Sequence, residues 1–339
     1  MGVGNMATSI KDVAREANVS IATVSRVLNN VDVVNEDTKK KVLEAIKKLD
    51  YRPNIVARSL KTQKTRTIGI IIPDISNPIY PEVVRGAEDV SNIYNYNIML
   101  CNTDLEPDKE LEYLRVLGEK MVDGVIYISN SLEERTIKTI KDTNMPLVLI
   151  ETNGRETEFP SVIIDNKSAA IDAVNYLLKK GNKRIAYIGI SDDVINASAI
   201  RHEGYIAGLS QNNIPYDKDI TFFCKYSLKA EDGYEAMNNI LEKTTDIDAV
   251  FCVNDEIAMG AINALRDREI KVPEDIDVMG FNDTHGAEFF YPRLTTIAQP
   301  LYDMGSVATR MLIKKINNEP LDKELFVLPY ELIERDSCK

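Results

Sequence analysis

Histidine occurs only twice in the 339 residues, at His202 and His285, and neither stands at a metal-type spacing from a cysteine or from the other. With so little imidazole, and none of it in a motif, neither a Ser/His/Asp nor a Cys/His group can be assembled, and no metal site is expected. The four cysteines, Cys101, Cys224, Cys252 and Cys338, are scattered and form no Cys-x-x-Cys pair, which reads as reduced thiols rather than a disulfide framework. No run of 18 apolar residues exists, so no membrane span is expected. Residues 1–11 hold no apolar stretch of the export type, so the expected compartment is the cytoplasm. No Gly-x-Gly-x-x-Gly follows the first apolar strand and no Walker sequence occurs, which removes the support for a nucleotide-dependent enzyme. Neither an enzyme nor a cofactor is expected.

What is present is a charge divided unevenly. The net charge is −12, which taken whole argues against nucleic acid. Yet residues 1–66 carry 13 Lys and Arg against 7 Asp and Glu, a balance of +6, and the remainder carries −18. A basic head on an acidic body is the asymmetry of a protein that touches phosphate with one end only. A merely solvated charged surface explains the same split, so the motifs must decide.

In the head, Ile10, Val13, Ala14 and Ala17 fall on one face of a helix, and Asn18 follows where a sharp turn needs left-handed backbone. Val19 plugs the corner, Ser20 can cap a second helix, and Val24 and Val27 form that helix's inner side. This is the spacing of a helix-turn-helix. A third helix is expected from about Asn35–Thr38 to Leu49, with Val42, Leu43, Ile46 and Leu49 inward. The second helix then exposes Ile21, Ala22, Ser25 and Arg26. Ile21 and Ala22 suit thymine methyl groups, and Arg26 suits O6 and N7 of guanine. Thr23, Ser25, Asn29 and the lysines suit phosphates, which set register without reading sequence, and Ser20 belongs with them to the expected DNA-binding set.

Beyond Pro53, Asn54 can cap a short helix over residues 55–61, including Ala57, Leu60 and Lys61. Two turns are marginal alone, so this is either a plain linker with a buried leucine or a hinge helix that forms against DNA and a twin hinge. From Thr67 the texture becomes alternating strand and helix. Strands are expected at 68–73, 97–101, 124–129, 146–151, 162–164, 184–190, 249–253 and 277–281. Helices are expected at 79–94, 108–120, 133–141, 167–180, 197–212, 230–242 and 256–268, with a tail helix over 302–317. Two such sets mean two lobes with doubly wound parallel sheets, and a ligand at the carboxyl ends of the strands between them. Asp74, Ser76, Asn77, Asp165, Asn254, Asp255, Asn282 and Asp283 stand at those ends, where many polar residues merely cap the next helix.

The run Ile10–Asn29 followed by Tyr51-Arg-Pro-Asn-Ile-Val-Ala-Arg-Ser-Leu60 resembles the lactose/purine repressor family. The resemblance implies an all-α head with a hinge helix and a two-lobed body like the type I periplasmic binding proteins. It implies a homodimer on a pseudo-palindromic double-stranded DNA operator, with Leu60 wedged into the minor groove and Arg26 reading the operator. It implies domains at 7–53 (head), 54–66 (hinge and linker), 67–163 with 299–322 (first lobe), and 164–298 with 323–339 (second lobe). It also implies an effector cleft lined by Ser76, Asn77, Tyr80, Asp165, Arg201, Tyr226, Asn254 and Asn282. Where the family usually has Asp, this chain has Asn282, with the acid displaced to Asp283; an amide is a weaker anchor for sugar hydroxyls. Residues 93–100 and the tail, with Tyr302, Asp303, Arg310 and Lys314, are similar to the catabolite-control members of the family. In those members the corresponding Arg and Lys receive the phosphoserine of the phosphocarrier protein HPr.

The expected function is therefore a transcription regulator, mainly a repressor, of carbon catabolite control, with serine-phosphorylated HPr raising DNA affinity and a sugar phosphate as a possible helper. The alternative is a local repressor of a sugar operon governed by a small sugar. A transport protein would share the lobes but needs an export signal and no basic head. No heptad-bearing extension follows the body, so a dimer is expected over a tetramer.

Overall fold

The structure is a computed structural model and describes residues 8–28, 34–51, 64–120, 122–129, 132–151, 158–190, 196–224 and 228–339. Among the sites expected above, Asn29, Asn54, Ala57, Leu60, Lys61 and Tyr226 lie outside the described residues. The chain divides into two compact units, residues 1–65 and 66–339.

The first unit holds three helices: α1 (Ile10–Glu16), α2 (Ile21–Leu28) and α3 (Glu36–Lys48). The carboxylate of Asp12 accepts from the Ser9 N–H at 3.0 Å and the Ser9 hydroxyl at 2.6 Å, tying down the start of α1. Asn18 takes the left-handed backbone of the turn, with φ 52°. The Ser20 hydroxyl accepts from the Thr23 N–H at 3.1 Å and Asn35 accepts from the Thr38 N–H at 2.8 Å, so α2 and α3 both start on side-chain caps. Val13, Val24 and Val42, one from each helix, are fully buried at the centre. The expected inner face of α3 needs one correction: Leu43 is exposed, and Ala45 is buried in its place. At about 100° per residue, Val42, Ala45, Ile46 and Leu49 share a stripe that Leu43 does not reach.

The second unit begins with β1 (Thr67–Ile72), α4 (Ile79–Ile93), β2 (Asn97–Asn102), α5 (Pro107–Glu119), β3 (Gly124–Ile128), α6 (Glu134–Thr143), β4 (Leu147–Ile150) and β5 (Ser161–Ile164). It continues with α7 (Asn166–Lys179), β6 (Ile185–Ile190), α8 (Ala197–Gln211), β7 (Thr221–Cys224), α9 (Ala230–Lys243), β8 (Ala249–Cys252), α10 (Asp255–Asp267) and β9 (Asp277–Asn282). The remaining elements are α11 (His285–Phe289), β10 (Thr295–Ala298), α12 (Leu301–Ile316), β11 (Leu325–Leu328) and β12 (Glu331–Ile333). The strands form two sheets of order β11-β5-β4-β3-β1-β2 and β12-β10-β9-β8-β6-β7, all parallel except the β10–β12 pair. Both faces of each sheet are covered. In β1, Ile68, Ile70 and Ile72 pack toward α4 and α12, while Ile71 packs toward α5 and α6 with Leu114, Leu117 and Ile140. Each such isoleucine contributes about 1.5–3 kcal/mol by leaving water, which is why these strands read as unbroken apolar runs.

Four strands were not expected from the sequence: β7, β10, β11 and β12. β11 also corrects a boundary. The second lobe was expected to resume at 323, but β11 pairs in parallel with β5, in register from Leu325 opposite Ser161 to Leu328 opposite Ile164. The chain thus stays in the first lobe after α12 and crosses over only between β11 and β12, at 329–330. The two earlier crossings lie between β5 and α7 and between β10 and α12.

In both lobes helices cross on glycines. In α4 and α12, a Cβ on Gly86 would lie 1.9 Å from the Tyr302 carbonyl oxygen, and one on Gly305 would lie 1.9 Å from that of Val83. In α9 and α10, a Cβ on Gly233 would lie 2.1 Å from the Ile257 carbonyl oxygen and one on Gly260 would lie 1.9 Å from that of Ala230. Only hydrogen fits at these four places. Among the described residues, no helix is long and apolar enough to cross a membrane.

Candidate functional site

Three surfaces collect the residues singled out by sequence. The first is α2. Its inner face is Val24 and Val27, so the turn and the cap leave Ser20, Ile21, Ala22 and Arg26 exposed, with Thr23 and Ser25 half-buried. Ile21 is 45% exposed in a head whose other apolar residues mostly pack inward. A helix end that presents a methyl-bearing pair and a guanidinium is suited to base edges in a major groove. On the neighbouring helix Lys40, Lys41 and Lys47 are exposed, whereas Lys48 is turned aside by a 2.6 Å ion pair with Glu16.

The second is the cleft between the two sheets, at the carboxyl ends of their strands. Asn77, Tyr80, Arg201, Asn254 and Asn282 line it together, as expected. Ser76 and Asp165 do not. The Ser76 hydroxyl donates to Asp74 at 2.7 Å on the exposed rim, and Asp165 caps α7, accepting from the Ser168 N–H and hydroxyl at 3.1 and 3.0 Å. Asp283 is also diverted, into a 2.6 Å ion pair with Arg335. Asn282 stands in the cleft with left-handed backbone (φ 109°), its side-chain oxygen accepting from Gln299 Nε2 at 2.6 Å. Asn254 is largely occupied: its oxygen caps α10 through the Ile257 N–H at 2.8 Å, and its nitrogen donates to the Leu228 carbonyl at 3.2 Å. Asp255 lies beneath the cleft wall, fully buried, accepting from Thr296 Oγ1 at 2.6 Å and from the Thr284 N–H at 2.7 Å. Burial pushes its carboxyl up to about 7, against the opposing pull of those hydrogen bonds.

Sequence reasoning missed Glu151 and Asn166, although both sit at strand ends where the same rule applies. Arg201 is stretched over the Phe281 ring with its guanidinium carbon 3.7 Å from the centroid. Its Nε donates to Asn166 Oδ1 at 2.8 Å, its Nη1 to the Val253 carbonyl at 2.9 Å, and its Nη2 faces Glu151 Oε2 at 3.5 Å. Burial raises the Glu151 carboxyl even though Arg201 opposes that shift. The open space is about 80 Å³, against the ~300–1,000 Å³ of ordinary small-molecule sites. Among the described residues, two ion pairs join the lobes here: Glu151 with Arg201, and Asp74 with Lys229 at 3.7 Å. Among the described residues, no group of three or more His, Cys, Asp or Glu is arranged for a metal.

The third surface is α12. Most of that helix is buried; Tyr302, Asp303 and Arg310 are exposed, and Val307, Lys314 and Lys315 are half-buried. The spacing 303, 310, 314 keeps Asp303, Arg310 and Lys314 on one side. Tyr302 donates to Asp89 Oδ2 at 3.0 Å, and Lys314 pairs with Asp322 at 2.7 Å, which holds the ammonium above its ordinary range. Arg310 is exposed and makes no ion pair among the described residues. The end of α4, where Tyr94 lies near Lys314, leaves Ile93 72% exposed and Tyr94 44% exposed.

Comparison with known proteins agrees with this division. Residues 9–54 match the family of bacterial regulatory proteins, lacI family, and residues 174–338 match the periplasmic binding protein-like domain. The chain is 64% identical over 337 residues to the HTH-type transcriptional regulator RegA of Clostridium acetobutylicum, covering 98% of this chain and 100% of that one. It is 42% identical over 335 residues to catabolite control protein A of Priestia megaterium, covering 98% and 100%. The crystal structure of the lac repressor dimer bound to operator and the anti-inducer ONPF superposes with a TM-score of 0.87 at 23% identity, covering 98% of this chain and 99% of that one, and so shares its fold. With a helix-turn-helix head, a two-lobed body and relatives matched over nearly their whole length, the chain belongs to the lacI family and is a DNA-binding transcription regulator.

Proposed function

We propose that this regulator acts in carbon catabolite control, binding a pseudo-palindromic operator as a dimer whose DNA affinity rises when serine-phosphorylated HPr docks on α12. The observation that carries this reading is the exposed face of α12. A helix otherwise committed to the core keeps Tyr302, Asp303, Arg310 and part of Lys314 at the surface; the Arg310 guanidinium makes no ion pair among the described residues, and Lys314 lies near Tyr94, which is exposed with Ile93 at the end of α4. A cation beside an apolar pair suits a phosphoserine carried on a protein surface rather than a free ion. The full-length similarity to catabolite control protein A supports the same reading. For the dimer, the support is the exposed apolar side chains of the body, Leu100, Phe289 (69%) and Tyr291 (87%), which a second copy would cover.

The second reading, a local repressor governed by a sugar, rests on the cleft. The cleft's small volume and the engagement of Arg201 by Glu151 favour it less. The test is to sequence the DNA retained by the protein, then titrate that DNA by fluorescence anisotropy with and without phosphorylated HPr. Phosphorylated HPr is expected to tighten binding. Arg310→Ala is expected to lose a charge-assisted hydrogen bond worth ~1.5–3 kcal/mol, which is roughly 10- to 150-fold in affinity for the partner. Arg310→Ala with undiminished response rules out the proposed phosphoserine site.

A further inference from the structure

The cleft contains its own anion. Glu151 follows β4 in the first lobe, and its left-handed backbone (φ 55°) is a conformation that a non-glycine residue keeps only when its surroundings hold it. They do so here: the Glu151 N–H donates to the Val162 carbonyl at 3.1 Å, and its Oε1 accepts from the Ile164 N–H at 3.3 Å. Its Oε2 accepts from Asn166 Nδ2 at 3.2 Å and faces Arg201 at 3.5 Å. Ile164 and Asn166 bracket the crossing from β5 to α7, so one carboxylate grips the connection between the lobes and reaches the cation of the second lobe. The side chains are 17% exposed for Glu151 and 8% for Arg201. A buried guanidinium left without an anion is strongly destabilising, so this pair cannot part cheaply.

We infer that Glu151 is a built-in ligand of the cleft, occupying the Arg201 subsite with the chain's own carboxylate and holding the lobes together without a bound effector. The chemistry that the subsite selects is thus that of a carboxylate, and it is already filled. A free anion reaches the Glu151-facing edge of Arg201 only by displacing Glu151. The Asp74–Lys229 pair reinforces the same closure at the rim. Neither Glu151 nor Arg201 belongs to the α12 face, so the outcome of the test is independent of whether a phosphoprotein docks there.

The test is chemical rescue in the full chain. Glu151→Ala vacates the subsite, and sodium acetate, compared with sodium chloride at matched ionic strength, is the probe. Glu151→Ala is expected to melt several degrees below wild type and to regain at least half of the loss in acetate. Wild type is expected to respond identically to the two salts, and Glu151→Ala/Arg201→Met not to respond to acetate. Glu151→Gln keeps the volume and removes the charge. It is expected to melt lower than wild type with no rescue, and it serves as the deciding variant if Glu151→Ala does not fold. Acetate stabilising wild type as much as Glu151→Ala, or Glu151→Gln melting with wild type, would overturn the assignment.

Discussion

Gly305→Ala places one methyl group where α12 crosses α4. The new Cβ would lie 1.9 Å from the Val83 carbonyl oxygen and 2.9 Å from the Ala87 nitrogen, both backbone atoms that no rotamer change can move. Reaching ordinary contact at 3.4 Å requires the helices to part by about 1.5 Å. Overpacking of this kind costs about 1–3 kcal/mol. The parting also opens gaps around Met304, Ala308, Met311 and Leu312, all buried along α12, and gaps of this width forfeit much of the local dispersion attraction. A total of ~3–5 kcal/mol is expected, which at ~2 °C per kcal/mol for a body of this size lowers the melting temperature by about 6–10 °C. The control is Gly118→Ala in α5. There the new methyl group meets only Thr143 Cγ2 at 3.8 Å, and replacing a helical glycine stabilises by up to ~1 kcal/mol. Scanning calorimetry of the full chain, following the transition of the body, reads both. If Gly305→Ala melts within about 1 °C of wild type, or if Gly118→Ala falls as far, close backbone approach is not what those glycines provide.

Two further outcomes are expected. Asp255 titrates near 7 in the folded protein against an ordinary 3.8, so between those values the native state holds the extra proton. The stability this group supplies is complete below its unfolded pKa and is lost as pH rises through about 7, at up to ~1.4 kcal/mol per pH unit. Asp255→Asn lacks that slope, so its melting temperature relative to wild type should climb from pH 4 to pH 8 in roughly the window set by linkage; a flat difference contradicts the burial of a titrating acid. In the head, Arg26→Ala should cost ~1–3 kcal/mol of specific binding and relax preference at one base pair, read out by a base-substitution panel of operators. An unchanged preference means that Arg26 touches phosphate only.

The head was almost wholly legible. Its positions Val13, Asn18, Ser20, Val24 and Val42 are each decided by neighbours within a few residues or by helical period, and the structure places them as the pattern requires, with Leu43 alone out of place. The alternation of strands and helices, the two lobes and the cleft at the strand ends follow equally from local apolar patterning. Local patterning cannot pair strands. β7, β11 and β12 are short and only partly buried, and the place of β11 beside β5 depends on where α12 packs rather than on its own residues. The cleft divides in the same way. Strand-end position was enough to gather Asn77, Asn254 and Asn282, while Tyr80 and Arg201 came from the family resemblance; whether a polar side chain faces the cleft or turns away is settled by the partners it finds. Asp283 turns to Arg335, Asp165 to its own helix, and Glu151 to Arg201 fifty residues on. Amino-acid order alone sufficed for most of the elements and for the basic reading head, because those rest on short-range spacing and charge, and a resemblance of motifs sufficed for the family. The closed cleft with its internal carboxylate exists only once two lobes are packed together, because burial and ion pairing depend on distances that no local pattern encodes.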